Sequence, residues 1–410
     1  MLPRHASMPD EFWSIGLPFN HSHCVTCGSM MFIGGQVDFD GGGNQLNPGD
    51  LQTQARRCMA HIGEVLESDG AGLSDLVKLS VYYRSDGSVD ETSLLDDLAG
   101  CLKGIEGPGP VVTLIPLGEL SFDGMEIEID GIAMRDPNGL SLARTTAWDP
   151  QCPRLPPPFS NALRCGEMLF TSGITAVDGT GHLHQPGDLT AQSRLVLPKL
   201  DGLLNQLGGD LNDVVKTNVF NVEPGTAEDW RSPALTRAGY YREPGPAATG
   251  ICLQRLWPSG VMLRNDVIAM RGGDGSRLPR SHVWPTGHWD WPVHLPYRHG
   301  IRCGDLVFLG GQVSLAPDGE VLQAGDIGAQ TTTAMDFIGK VLGDFGLTFD
   351  NVIKVNAFYV GSAGPEELAR NALVRFSYFT GSPGPASTGV PVPYLAYQGM
   401  MIEIDIVAMV

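Results

Sequence analysis

The feature that most constrains this chain is a repeat. Cys27-Gly28, Cys165-Gly166 and Cys303-Gly304 recur every 138 residues. Gly35, Gly173 and Gly311 keep that 138-residue interval, as do Asp50, Asp188 and Asp326, Gln54, Gln192 and Gln330, and Lys78, Lys216 and Lys354. One offset held along the whole unit makes the chain a tandem triplication, in which each copy buries its apolar faces against its neighbours. The units are expected over 17–135, 156–271 and 293–410, joined by turn-rich linkers such as Arg135-Asp-Pro-Asn-Gly139 and Gly272-Gly-Asp-Gly-Ser276.

Each copy reads alike. A Pro-aromatic pair (Pro18-Phe19, Pro158-Phe159, Pro296-Tyr297) precedes the Cys-Gly turn and a β-rich run through Phe32, Phe170 or Phe308. Asp50, Asp188 and Asp326 suit helix N-caps, and Met59, Ile62, Val65 and Leu66 follow at helical spacing. The repeated lysine opens a second strand (77–82, 215–220, 353–358). A more variable helix leads to Gly109-Pro110, Gly245-Pro246 or Gly384-Pro385, and a last strand ends each unit. Strands interleaved with one or two helices make the class α+β.

Composition removes several functions. With 27 Lys+Arg against 46 Asp+Glu the net charge is −19, so no counterion-release term would drive binding to nucleic acid or an anionic membrane. No apolar run approaches the roughly 18–20 residues of a membrane span. The start of the chain, with Arg4, His5, Asp10 and Glu11, lacks the apolar stretch of a secretory signal. Eight cysteines dispersed over 410 residues read as reduced thiols, so a cytoplasmic protein is expected.

In order, the Pro-aromatic opening, Cys-Gly, Phe-x-x-Gly-Gln, Gly-Asp-x-x-x-Gln, Asp-x-Val-Lys, Gly-Pro and Glu-Ile-Asp-x-x-Ala resemble the RidA/YjgF enamine/imine deaminase family, three times over. The resemblance implies three chorismate-mutase-like units, each a sheet on two helices. They would close into a single-chain pseudo-trimer with a small-molecule cleft between each pair, as a monomer or a higher assembly of it. It also implies hydrolysis of a small imine, enamine or related C=N compound, with no metal or organic cofactor. The family's carboxylate-gripping arginine falls on Val112, Ala248 and Ser387, so all three copies lack it. A charge-assisted hydrogen bond contributes about 1.5–3 kcal/mol. Either the substrate has no such carboxylate, another cation holds it, or the cleft has lost catalysis and the protein only binds a small metabolite. An RNase reading fits poorly with the acidic charge.

The family's acid on the closing strand maps to Glu128 and Glu403, and to Arg264 in unit two, where a guanidinium is a stand-in anion grip. The entrance aromatic keeps a hydroxyl only at Tyr297. Glu403, Glu128 and Tyr297 are therefore the catalytic candidates. Gln312, Gly311, Ser387, Thr388, Gln36, Arg264 and His21 are the ligand-binding candidates, and unit three is the copy nearest the family pattern. His21, His23, Cys24 and Cys27 suggest a metal cluster by spacing, but Cys165 and Cys303 repeat Cys27 without a second cysteine, so no metal is expected. Lys78, Lys216 and Lys354 read as structural side chains before nucleophiles. The stretch Trp284-Pro-Thr-Gly-His-Trp-Asp-Trp291 staples unit two to unit three or walls a cleft.

Overall fold

The computed structural model describes residues 4–7, 9, 12–17, 19–222, 227–362 and 364–410. The repeat becomes three six-stranded mixed sheets. The first unit runs β1 (Arg4–Ser7), β2 (Cys24–Cys27), β3 (Met30–Gln36), α1 (Leu51–Glu67), β4 (Leu76–Arg84), α2 (Glu91–Cys101), β5 (Val111–Leu117) and β6 (Ile127–Met134). The second runs β7 (Arg144–Ala147), β8 (Ala162–Cys165), β9 (Met168–Thr171), α3 (Leu189–Gln206), β10 (Val214–Val222), α4 (Ala227–Ala238), β11 (Ala247–Leu253) and β12 (Leu263–Met270). The third runs β13 (Arg280–Val283), β14 (Gly300–Cys303), β15 (Leu306–Leu309), α5 (Ile327–Asp344), β16 (Val352–Val360), α6 (Pro365–Phe376), β17 (Ala386–Val392) and β18 (Ile402–Met409).

All three sheets share one order, β1-β2-β3-β6-β4-β5 in the first, and only the pair joined through the second helix is parallel. A helical crossover is what a parallel pair requires. Each sheet also takes a strand (β1, β7, β13) from ahead of the expected unit boundary, so the linkers are partly sheet. None of the described helices is long and apolar enough to cross a membrane.

The repeated residues now have physical reasons. The carboxylates of Asp50, Asp188 and Asp326 accept from the backbone N–H of Thr53, Ala191 and Ala329, capping α1, α3 and α5. Gln54 donates to Asn47 O and Gly124 O at 2.7 and 2.8 Å and accepts from Glu126 N at 2.8 Å, tying the helix start to the last strand. Gln192 and Gln330 make the same ties. On α1, Met59, Ile62, Val65 and Leu66 are buried against the sheet, as their spacing predicts. Cys27, Cys165 and Cys303 lie in one apolar cluster with Phe32, Phe170 and Phe308, contributed by all three units.

The repeated lysines close the units on one another. Lys78 Nζ lies 3.1 Å from Asp266, Lys216 Nζ 3.0 Å from Asp405 and Lys354 Nζ 2.9 Å from Asp130. The pairs run one to two, two to three and three back to one. Lys354 also donates to Thr388 Oγ1 and Ile33 O, and Lys216 to Thr249 Oγ1 and Leu309 O. At Lys216 and Lys354 the ammonium has three acceptors, one of them a buried carboxylate, and so no donor to spare, while Lys78 is held by Asp266 and Thr113. These are structural groups.

Candidate active site in the clefts between units

Each cleft sets the glycine turn and last strand of one unit against the second helix and adjoining strand of another. In cleft three–one, Gly34, Gly35 and Glu128 of unit one face Ser387 and Gly389 on β17 and Arg375 and Phe376 on α6. In cleft two–three, Gly310, Gly311 and Glu403 of unit three face Ala248 and Gly250 on β11 and Arg237 on α4. In cleft one–two, Gly173 and Arg264 face Val112 and Leu114 on β5 and Glu91 on α2. The three positions lacking the family arginine do line the clefts.

The repeated glycine makes room for the strand residue beside it. A β-carbon on Gly35 would overlap Glu128 Oε1, one on Gly311 would overlap Glu403 Oε1, and one on Gly173 would come within 2.8 Å of Arg264. Burial, reinforced by the neighbouring aspartates Asp130 and Asp405, pushes each glutamic acid up to about 8. Both carboxyls are therefore mostly protonated at neutral pH. Gly250 N donates to Glu403 Oε1 at 3.4 Å, and Gly389 N donates to Glu128.

The cations that face these acids were missed in the sequence. Arg237 and Arg375 are 138 residues apart on equivalent helices, and that spacing was the available signal. In cleft one–two the charges are exchanged, because α2 has no basic residue and carries Glu91. Arg264 holds Glu91 bidentately, Nη1 to Oε1 at 2.8 Å and Nη2 to Oε2 at 2.6 Å, so it is not a free anion grip. Glu91→Gln is expected to destabilise the chain by about 3–5 kcal/mol in urea unfolding, since it strands a buried guanidinium. In the other two clefts no ion pair forms between acid and guanidinium among the described residues.

Other expectations change. Gln36 and Gln312 are fully buried behind the clefts and accept from Trp13 Nε1 at 2.9 Å and Trp289 Nε1 at 3.2 Å, so they position tryptophans and do not reach a ligand. Thr388 belongs to the lysine ring, donating to Asp130. Unit three is split between clefts: Tyr297, Gly311 and Glu403 line two–three, while Ser387 lines three–one. The entrance position in unit one is His21. Ser22 N, Ser160 N and Arg298 N bind Pro385 O, Pro110 O and Pro246 O alike, which aligns His21 with Phe159 and Tyr297 and displaces Phe19 by two residues. Pro18 lies outside the described residues.

His21 lines cleft three–one, and burial lowers its pKa. Burial holds His23 and His299 down to about 3, so both are neutral. Cys24 and Cys27 are buried in β2. The tryptophan stretch both staples and walls: Trp289 is anchored on Gln312, while Trp291 packs 4.9 Å from Trp230 of α4 along cleft two–three.

Known proteins match the same three segments. The family model described as Endoribonuclease L-PSP matches residues 17–135, 152–260 and 291–410. The RutC family protein YjgH of Escherichia coli K12 is 33% identical over 132 residues, 32% of this chain and 95% of the relative. The 3-aminoacrylate deaminase RutC of Acinetobacter baylyi is 32% identical over 93 residues, 22% of this chain and 69% of the relative. A chorismatase crystal structure aligns over 82% of this chain and 93% of its own at 14% identity and TM-score 0.55, a likeness of fold. One unit's length matches each single-unit relative, and the family model finds that unit three times. The chain therefore belongs to the RidA/YjgF family, that of the Endoribonuclease L-PSP model, in three tandem copies.

Proposed function

We propose that the protein is a single-chain pseudo-trimer that hydrolyses a small imine, enamine or related C=N compound to a carbonyl and ammonia. The work falls to clefts three–one and two–three; in cleft one–two the counterpart of their acid is Arg264, whose guanidinium is already held by Glu91. One observation carries the reading. Two buried carboxyls, pushed up to about 8 by burial, each share a cleft with a buried guanidinium, and no ion pair joins them among the described residues. General acids serve best with a pKa near the working pH. Relatives named as imine and aminoacrylate deaminases support the reaction class, and the charge of −19 opposes a polyanionic substrate.

The chemistry needs few parts. The protonated Glu128 or Glu403 donates its proton to the nitrogen of an imine, or to the β-carbon of an enamine, giving an iminium whose carbon is electrophilic. Water adds to that carbon, and the carboxylate takes the proton that water loses. The re-protonated glutamic acid then gives its proton to the adduct's nitrogen, the C–N bond breaks to release ammonia, and the hydroxyl proton passes to the carboxylate as the carbonyl forms. Tyr297 adds a hydroxyl to cleft two–three, and His21 lines cleft three–one as a neutral ring.

The test is ammonia release from small imines generated in situ, above the spontaneous rate, in wild type and in a Glu128→Gln/Glu403→Gln variant. Equal rates would overturn the assignment. Gly35→Ala with Gly311→Ala is a second probe. The added methyls displace both carboxyls without changing an ionisable group. Turnover is expected to fall about 10²-fold, as for an ångström-scale misplacement, with circular dichroism unchanged.

A further inference from the structure

We propose that Arg375 on α6 binds the anionic group of the ligand in cleft three–one, and that Arg237 on α4 does so in cleft two–three. The inference deepens the reading above and rests on it for the ligand's location. A guanidinium carries five N–H donors and no acceptor. Arg375 is 1% exposed, yet its one hydrogen bond among the described residues runs from Nη1 to Asn371 Oδ1 at 3.1 Å. Its Nε and the Nδ2 of Asn371 are buried without a partner.

Glu128 across the cleft does not balance the charge, because it stays protonated at neutral pH, and burial draws the guanidinium down to about 10. A buried cation without a counterion is strongly destabilising. Its place in a ligand-sized cleft is accounted for by an arriving anion. Arg237 repeats the arrangement, 5% exposed with one long hydrogen bond among the described residues, 3.5 Å to Ser193 Oγ. Cleft one–two is the internal comparison, since there the cation already holds a carboxylate, that of Glu91.

Cleft three–one joins polar groups, among them His21, Ser121, Glu128 and Ser387, to a larger apolar wall. Trp13, Phe122, Leu368 and a stacked Phe19–Phe376 pair, centroids 5.0 Å apart, form that wall, and the Arg375 guanidinium lies 5.0 Å from the Phe376 ring centroid. The matching ligand is a small carboxylate with a flat apolar body, held bidentately as guanidinium and carboxylate geometry favours.

Calorimetric titration with benzoate and benzamide tests this. Wild type is expected to bind benzoate about 10–100-fold more tightly than benzamide, the effect of a charge-assisted hydrogen bond. Arg375→Met and Arg237→Met should each abolish one benzoate site, and the double variant both, while Arg375→Lys keeps weakened binding. Arg375→Met should also raise the urea midpoint of the unliganded protein, because it removes an unbalanced buried charge. An arginine with a merely structural role would lower it. Equal binding of benzamide, benzoate binding intact in the double variant, or a lowered midpoint would each overturn the inference. The titration needs no turnover. Arginine-dependent benzoate binding without ammonia release would uphold this inference and overturn the deaminase reading. Ammonia release untouched by both arginine substitutions would do the reverse.

Discussion

Replacing Glu128 and Glu403 together by glutamine is expected to lower ammonia release by about 10²–10⁴-fold, the usual contribution of a positioned general acid. The same variant should be more stable than wild type at neutral pH. Below about pH 4.5 each carboxyl is protonated folded or unfolded and contributes nothing. Between 4.5 and about 8 the unfolded chain ionises while the folded one holds its proton, so stability falls as pH rises across that window. At pH 7 the burden is about 3 kcal/mol per carboxyl, because each tenfold displacement of a protonation equilibrium corresponds to about 1.4 kcal/mol. Glutamine removes the ionisation and with it the burden. Urea unfolding should thus show a gain at pH 7 that vanishes toward pH 4.5. A loss of both activity and stability would instead mark the glutamates as structural.

The second large effect is expected at the lysine ring. Lys354→Met leaves Asp130 buried beside Thr388 with no cation, and should cost about 3–5 kcal/mol in urea unfolding. Lys78→Met and Lys216→Met should behave similarly, since each breaks an equivalent pair between units. A Lys354→Met/Asp130→Leu variant should recover much of the loss, because apolar groups of similar volume often replace a buried ion pair without penalty. A cost below about 1 kcal/mol for the single variant, the level of an exposed pair, would mean the ring does not hold the units together.

The fold was legible because its evidence is local and repeated. N-cap aspartates, helical apolar spacing and β-rich runs recur at one interval, so three copies vouch for one another. Glu128 and Glu403 were legible for the same reason, lying on a strand whose pattern repeats closely. The cleft was not, because it joins residues far apart in the chain: Glu128 faces Arg375, and Glu403 faces Arg237. A reading made unit by unit assigned Ser387 to the same site as Glu403, whereas β17 faces unit one.

Gln36 and Gln312 were misread because their partners, Trp13 and Trp289, sit ahead of the expected unit boundaries. Arg264 looked like a free grip because Glu91 lies on the variable helix of another unit. The slip from His21 to Phe19 came from matching Pro-aromatic pairs, where backbone hydrogen bonds to the Gly-Pro turn set the register.

The most direct test of the central claim, a buried glutamic acid acting as proton donor, is the pH dependence of kcat/KM for ammonia release between pH 6 and 10. The protonated form of Glu128 and Glu403 predominates below about 8, so the rate should hold steady and then fall about tenfold per pH unit above that value. A rate that stays level through pH 9.5, or that rises across pH 8, would contradict it.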